Sequence, residues 1–322
     1  MIHMKLELNE WWKPEIDPDD LKSLVQRNNA YAWIHMIAYF GLLSATGYLA
    51  FLSWGSWWVI PAFYLYGTVY SFSNARWHEF SHRTVFSSRR VNTFFYQIFS
   101  FLCFYEAQTF RWTHANHHRR TLHTSDPYDY EIQVPHGNSP IRLIYEFSGL
   151  RPLFSEYKKL LLHSANIMTP LAKDCVPKNH WRKVVISSRI YIALTLLIIA
   201  VAIYAGSIMP LLFVITPNLY ARFLLNWIIG FPQHAGLSEN ALDHKTNTRN
   251  VMVNPMFAFL CMNMNYHLDH HMFPQVPFYH LPKLHNLIKG QLPNSYPSLW
   301  ACYKELIPLL LNQHKGLIKN NI

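Results

Sequence analysis

Residues 31–52 read YAWIHMIAYFGLLSATGYLAFL, a stretch without Asp, Glu, Lys or Arg. Coiled as a helix at about 1.5 Å per residue it is roughly 33 Å long, enough to cross the hydrocarbon core of a bilayer. After the short connection SWGS a second apolar stretch fills 57–75, with Trp54, Trp57 and Trp58 at the turn where an interfacial aromatic belt would lie. The same arrangement recurs at 185–205 and 208–230. The reading is an all-α integral membrane protein with four transmembrane helices arranged as two hairpins. A single domain is expected, with an N-terminal segment at 1–30 and a helical cap made of 76–184 and 231–322.

Composition agrees. Of 322 residues 51% are hydrophobic and only 14% charged, as expected where much of the surface faces lipid. Neither far-side connection, 53–56 or 206–207, carries Lys or Arg, so both termini and the cap are expected in the cytoplasm, at the inner membrane in a bacterial cell. That bias accounts for the net charge of +10; no basic stripe with interleaved aromatics suggests nucleic acid. Cys103, Cys175, Cys261 and Cys302 form no CxxC pair, which leaves no iron–sulfur module and no disulfide framework. The amino terminus lacks the apolar core of a signal peptide. Asp17, Pro18, Asp19 and Asp20 read as the cap and first turn of a short helix. Residues 91–110 are apolar but interrupted by Gln97, Glu106 and Gln108, which suits an interfacial or half-inserted helix.

The chemistry lies in 19 histidines. His78 and His82 stand in RWHEFSH, His114, His117 and His118 in THANHH, and His267, His270 and His271 in NYHLDHH; His234 follows the fourth apolar stretch. Positions i and i+4 share a helical face, so each group can aim imidazoles at one place. One HxxxH arises readily by chance; two HxxHH groups beside it, each just beyond an apolar segment, do not. Nine imidazoles without a thiolate exceed what a structural zinc site takes. They suit two ions of four or five ligands with room for oxygen, and two irons are the expected pair. His35, His123, His136, His163, His180, His244, His280 and His285 are expected to be surface or structural. Asp126, Asp129, Glu79, Glu106, Asp243 and Asp269 lie near ligands in sequence and are the candidates for orienting them.

With HEFSH, HANHH and NYHLDHH followed by MFPQVP, the chain resembles the membrane fatty-acid desaturases, whose signature is HxxxH, HxxHH and HxxHH. The resemblance covers roughly residues 30–290. It implies a mushroom-shaped helical protein with a cytosolic cap over a non-haem diiron centre, ligated by His78, His82, His114, His117, His118, His267, His270 and His271, with His234 as the additional histidine. Some relatives have Asn four residues before that histidine; Gly230 stands there, so one iron is open to different ligation. No fused cytochrome b5 segment is evident, which implies a separate electron donor: a ferredoxin, or a cytochrome b5-like protein with its reductase.

The implied partners are O2 and a lipid or acyl chain, and the implied reaction is insertion of a C=C bond. Hydroxylation or ketolation on the same scaffold is the alternative, and a histidine-rich metal carrier a distant one; carriers hold their ligands near mid-membrane in broken spans. Arg222, with Asn218 and Asn226 at helical spacing, is a candidate for a substrate carboxylate. Trp112, with Phe110 and Phe104, is a candidate for lining an acyl tunnel.

Overall fold

The computed structural model describes residues 11–125, 128–132, 148 and 150–314; the side chains of 150–152, 222, 223, 313 and 314 lie outside that description. Among the described residues every regular element is a helix, and extended pairing is confined to one isolated bridge between Val251 and Tyr296. The opening helix α1 (Pro18–Leu24) starts as its sequence dictates, the Asp17 carboxylate accepting from the Asp19 and Asp20 amides at 2.8 and 3.3 Å. Asn28 caps α2 (Asn29–Leu52) in the same way through the Tyr31 amide.

Among the described residues two helices are long and apolar enough to cross a membrane, Asn29–Leu52 and Lys178–Tyr204; the second is α9 (Trp181–Tyr204) with one 3₁₀ turn before it. Their outward faces are apolar. Ile34 and Ile37 on α2 are 68% and 66% exposed, and Leu196, Leu197 and Ile203 on α9 are exposed as well. A continuous strip of this kind suits lipid and not water.

The other two apolar stretches are divided. Residues 57–75 give α3 (Val59–Ser71), a break at Phe72, and α4 (Ser73–His82). With 13 residues α3 is about 20 Å long, short of the hydrocarbon thickness by itself. Residues 208–230 are cut further, into a π turn at Leu211–Ile215, α10 (Pro217–Tyr220), α11 (Arg222–Leu225) and a π turn at Asn226–Gly230. Pro217 brings no N–H to the ladder. The carbonyls left over in the broken segment are met by tyrosine hydroxyls: Tyr66 donates to Phe213 O, Tyr70 to Val214 O and Tyr220 to Leu212 O, at 2.7, 2.7 and 3.0 Å. Away from water an unmet carbonyl costs several kcal/mol, so α3 and the broken segment stabilise each other. Gly67 lets them meet: a Cβ there would fall 2.3 Å from the Tyr220 ring and 2.8 Å from Ala221 Cβ.

Residues 91–110, expected as one interfacial or half-inserted helix, belong to two. Phe104, with φ 64°, ends α5 (Arg89–Cys103), and Glu106 starts α6 (Ala107–Arg120) by accepting from the Gln108 and Thr109 amides. The polar residues that interrupt the apolar run are thus a helix cap. Beyond α6 the described chain continues with α7 (Leu150–Ser164) and α8 (Pro170–Cys175), and after the broken segment with α12 (His244–Asn247), α13 (Pro255–Leu260), α14 (His267–Met272), α15 (Leu281–Ile288) and α16 (Leu299–His314). The main core joins Tyr39 of α2, Phe80 of α4, Phe95 and Phe99 of α5, Leu268 and Met272 of α14, and Leu281 and Leu284 of α15.

Among the described residues Arg76 ties this core together without a carboxylate in contact. Wholly buried, it donates to Phe72 O and Leu260 O, at 3.1 and 2.8 Å, and lies 3.3 Å over the Tyr39 ring. It fastens α4 to the carbonyl end of α13, where cations are favoured.

Candidate metal centre

Nine histidines converge between α4, α6, α14 and the turn after Gly230, and they do so as two groups. His78, His82, His114, His118 and His270 form one; His117, His234, His267 and His271 form the other. Within each group the candidate ligand atoms all lie within 4.8 Å of one another. The helical repeat explains the division. Successive residues turn by about 100°, so i and i+4 point about 40° apart while i+3 points away on the other flank. On α6, His114 and His118 therefore enter the first group and His117 the second; on α14, His267 and His271 enter the second and His270 the first. Each helix serves both groups. The HxxxH pair of α4 brings the first to five, and His234 brings the second to four.

The second group is held from outside. His117 Nδ1 donates to Asp129 Oδ2 at 2.7 Å, His234 Nδ1 to the Asn247 carbonyl at 2.9 Å, and His271 Nδ1 to the Thr121 hydroxyl at 3.2 Å. Thr121 is oriented to accept because its own proton goes to His117 O. These three bonds fix the tautomer, placing N–H outward and the Nε2 lone pair inward. His267 Nε2 then sits 2.9 Å from His234 Nε2 and 3.1 Å from His271 Nε2, with one proton at most to share between two lone pairs. In the first group, His114 Nδ1 donates to Glu131 Oε2 at 2.6 Å, and the single lone pair on its Nε2 faces His82 Nε2 at 2.9 Å and His118 Nε2 at 3.1 Å. Among the described residues, both nitrogens of His78 and of His270 are buried without a hydrogen-bond partner. Crowded lone pairs and orphaned buried nitrogens are costly unless a cation accepts them. The donor set therefore fits metal ions.

Protonation points the same way. Burial, reinforced by neighbouring imidazoles, pushes His78, His114, His118, His267, His270 and His271 well below the ordinary histidine range. Burial with the Arg111 charge takes His82 down to about 3, and burial with His117 takes His234 to about 3. These are neutral imidazoles at physiological pH, the form that ligates. His117 goes the other way: burial opposes its protonation, but the Asp129 and Glu131 carboxylates outweigh it.

Of the carboxylates expected to orient ligands, only Asp129 does so among the described residues. Its Oδ1 also accepts from the Glu131 and Ile132 amides, which fixes the loop beneath His117. Glu79 accepts from the Thr84 hydroxyl and the Phe278 amide, and Glu106 and Asp243 cap α6 and α12. Asp269 holds Asn250 Nδ2 at 2.5 Å and His285 Nδ1 at 3.2 Å, so it sets the backbone of α14 and not an imidazole on it. Asp126 lies outside the described residues. Glu131, Thr121 and the Asn247 carbonyl were not foreseen; Glu131 sits in the same acidic run as Asp126 and Asp129, which was the available signal.

Trp112 is half-buried against the cluster of Met168, Ala172 and Val176, 5.5 Å from the His180 ring. Phe104 lies beside Tyr157, while Phe110 stacks on Trp77 and on His114. The three aromatics are thus engaged at three different places. The Arg222 side chain lies outside the described residues, and so does His136. His35, His163 and His280 hydrogen-bond to Phe259 O, Thr169 Oγ1 and Leu24 O, as structural histidines do. His244 is different: it is buried with its ring centroid 5.1 Å from that of His271.

Residues 55–303 match the family model described as fatty acid desaturase. No curated protein matches the chain.

Proposed function

The chain belongs to the fatty acid desaturase family, and from that premise we propose that it is a membrane-bound, oxygen-dependent diiron desaturase acting on a lipid or acyl chain. The overall change takes a CH2–CH2 pair, O2, two electrons and two protons to a CH=CH pair and two waters. Iron bound in the two histidine groups supplies the oxygen-activating redox chemistry. The observation that carries this reading is the nine buried or half-buried imidazoles divided five and four, with no thiolate among them and the Nε2 lone pairs of His114, His117, His234 and His271 turned inward. Imidazole ligands of this number suit iron with positions left open for O2.

The protein's own work is threefold. Asp129, Thr121 and the Asn247 carbonyl orient the ligands of the second group, and Glu131 orients His114 in the first. Burial keeps the imidazoles other than His117 neutral and excludes water, which protects a reactive centre from side reactions. The apolar helices set the site against the bilayer from which an acyl chain arrives. In this reading the divided stretches 57–75 and 208–230 complete the four spans as two hairpins, the termini and the site lie on the cytoplasmic side, and 1–322 is one domain. Electrons come from a separate ferredoxin or cytochrome b5-like protein.

Iron analysis of detergent-purified protein, paired with lipid analysis of expressing cells, tests the proposal. Iron at about two per chain, together with a new alkene in the lipids, is the expected result. Absence of iron, or an alcohol or ketone in place of the alkene, would sink the desaturase assignment.

A further inference from the structure

His244 and Trp11 form a column of rings running outward from the second histidine group. Trp11 stacks on His244 with centroids 4.1 Å apart and planes 17° from parallel, and the His244 ring stands 5.1 Å from that of His271. Trp11 also lies 6.1 Å from His123. His244 is 3% exposed, bonds to the Asn247 side chain and, among the described residues, leaves its Nδ1 without a hydrogen-bond partner.

Trp11 is 9% exposed, and the next residues along the chain are at the surface: Trp12 is half-buried and Lys13 exposed. Lys245 Nζ lies 3.4 Å over the Trp12 ring, and the Trp12 amide donates to Leu242 O. A second tie at Glu15, whose amide donates to Gln291 Oε1, keeps the strap in place.

We propose that Trp11 and His244 are the electron entry route of the oxidase, receiving electrons from an external one-electron donor protein that docks over Trp11, Trp12, Lys13 and Lys245. The inference rests on the diiron reading above. Tunnelling falls off exponentially with the gap between edges, and successive ring contacts from the surface to a ligand leave the smallest gaps. Each transfer oxidises the donor's reduced centre by one electron and reduces one iron(III) to iron(II). Two transfers serve one turnover, the protons for water coming from solvent. Neither ring changes oxidation state; both act as the medium. A chain of net charge +10 suits an acidic donor.

The test is the anaerobic reduction rate of the iron-loaded protein, followed by its absorbance, with reduced plant-type ferredoxin, reduced cytochrome b5, or dithionite as the reductant. W11L is expected to keep its iron and its dithionite rate while donor-driven reduction slows by an order of magnitude, and W11F, which retains a ring, is expected to slow less. Equal donor-driven rates in wild type and W11L would place the route elsewhere. Loss of iron in both variants, or equal slowing with all reductants, would make the column a structural strap. A wild type that dithionite reduces and neither protein does would remove the donor from the proposal. A wild type without iron would instead overturn the oxidase reading itself.

Discussion

The two histidine groups share two helices and one residue type, yet they are built on different principles. In the four-ligand group three of the imidazoles are fastened from behind, by Asp129, the Asn247 carbonyl and Thr121. In the five-ligand group one, His114, is fastened by a carboxylate, whereas Nδ1 of His78, His118 and His270 is buried without a partner. One site relies on orientation and the other on number. Oriented ligands need no reordering when an ion arrives; numerous loose ones tolerate a change in coordination during the reaction.

The largest test of this contrast removes one ligand from each group. His117→Ala leaves three ligands in the smaller group, and iron analysis should show at least half of the metal lost with no measurable turnover. His82→Ala leaves four in the larger group and should retain most of its iron. Equal losses would mean that the groups are alike.

The apo protein should also lose stability as pH falls. With folded pKa values lowered from the ordinary 6.5 to about 3 for His82 and His234, the unfolded chain binds more protons between those limits, so stability drops as pH falls from about 6.5 towards 3. His117, raised, works in the opposite sense: its contribution is complete below 6.5 and fades as pH climbs through its folded value. Thermal unfolding of metal-free protein at several pH values checks the sum, and a melting temperature that rises on acidification would contradict it.

Asp129→Asn should weaken metal retention by about 10–100-fold, the range for loss of a partner behind a ligand. Glu131→Gln should do less, because the Glu131 side chain is 27% exposed and water can replace it; competition with a chelator ranks the two. The smallest effect is expected from Thr121→Val, which removes one neutral hydrogen bond to His271, about 1 kcal/mol or roughly fivefold. If it equals Asp129→Asn, the hydroxyl matters beyond orientation.

Much of this was legible in the residues. Spacing grouped eight of the nine histidines, His234 being reached from its place after the fourth apolar stretch, and the repeat of about 100° per residue already contains their division, since an i+3 position cannot face the same way as both i and i+4. The first and third apolar stretches became long helices because nothing in them breaks the ladder. The second and fourth were cut where Phe72 and Pro217 stand, and the compensation by Tyr66 and Tyr70 is a tertiary matter that no local pattern records. Glu106 interrupted an apolar run for a local reason, a cap, that a hydropathy reading mistakes for a surface. The orienting groups were the least legible: Thr121 and the Asn247 carbonyl act through folded loops, and a backbone carbonyl leaves no trace in residue identity.

Because α6 and α14 each contribute to both groups, the occupancy of one cannot be independent of the other. An ion that draws His114 and His118 together also sets the rotation of α6, and with it His117; an ion on His267 and His271 sets His270 likewise. In the language of linkage each ion is an effector of its neighbour, and the coupling is reciprocal by necessity. At sub-saturating metal the share of singly filled chains should then depart from what two independent sites would give.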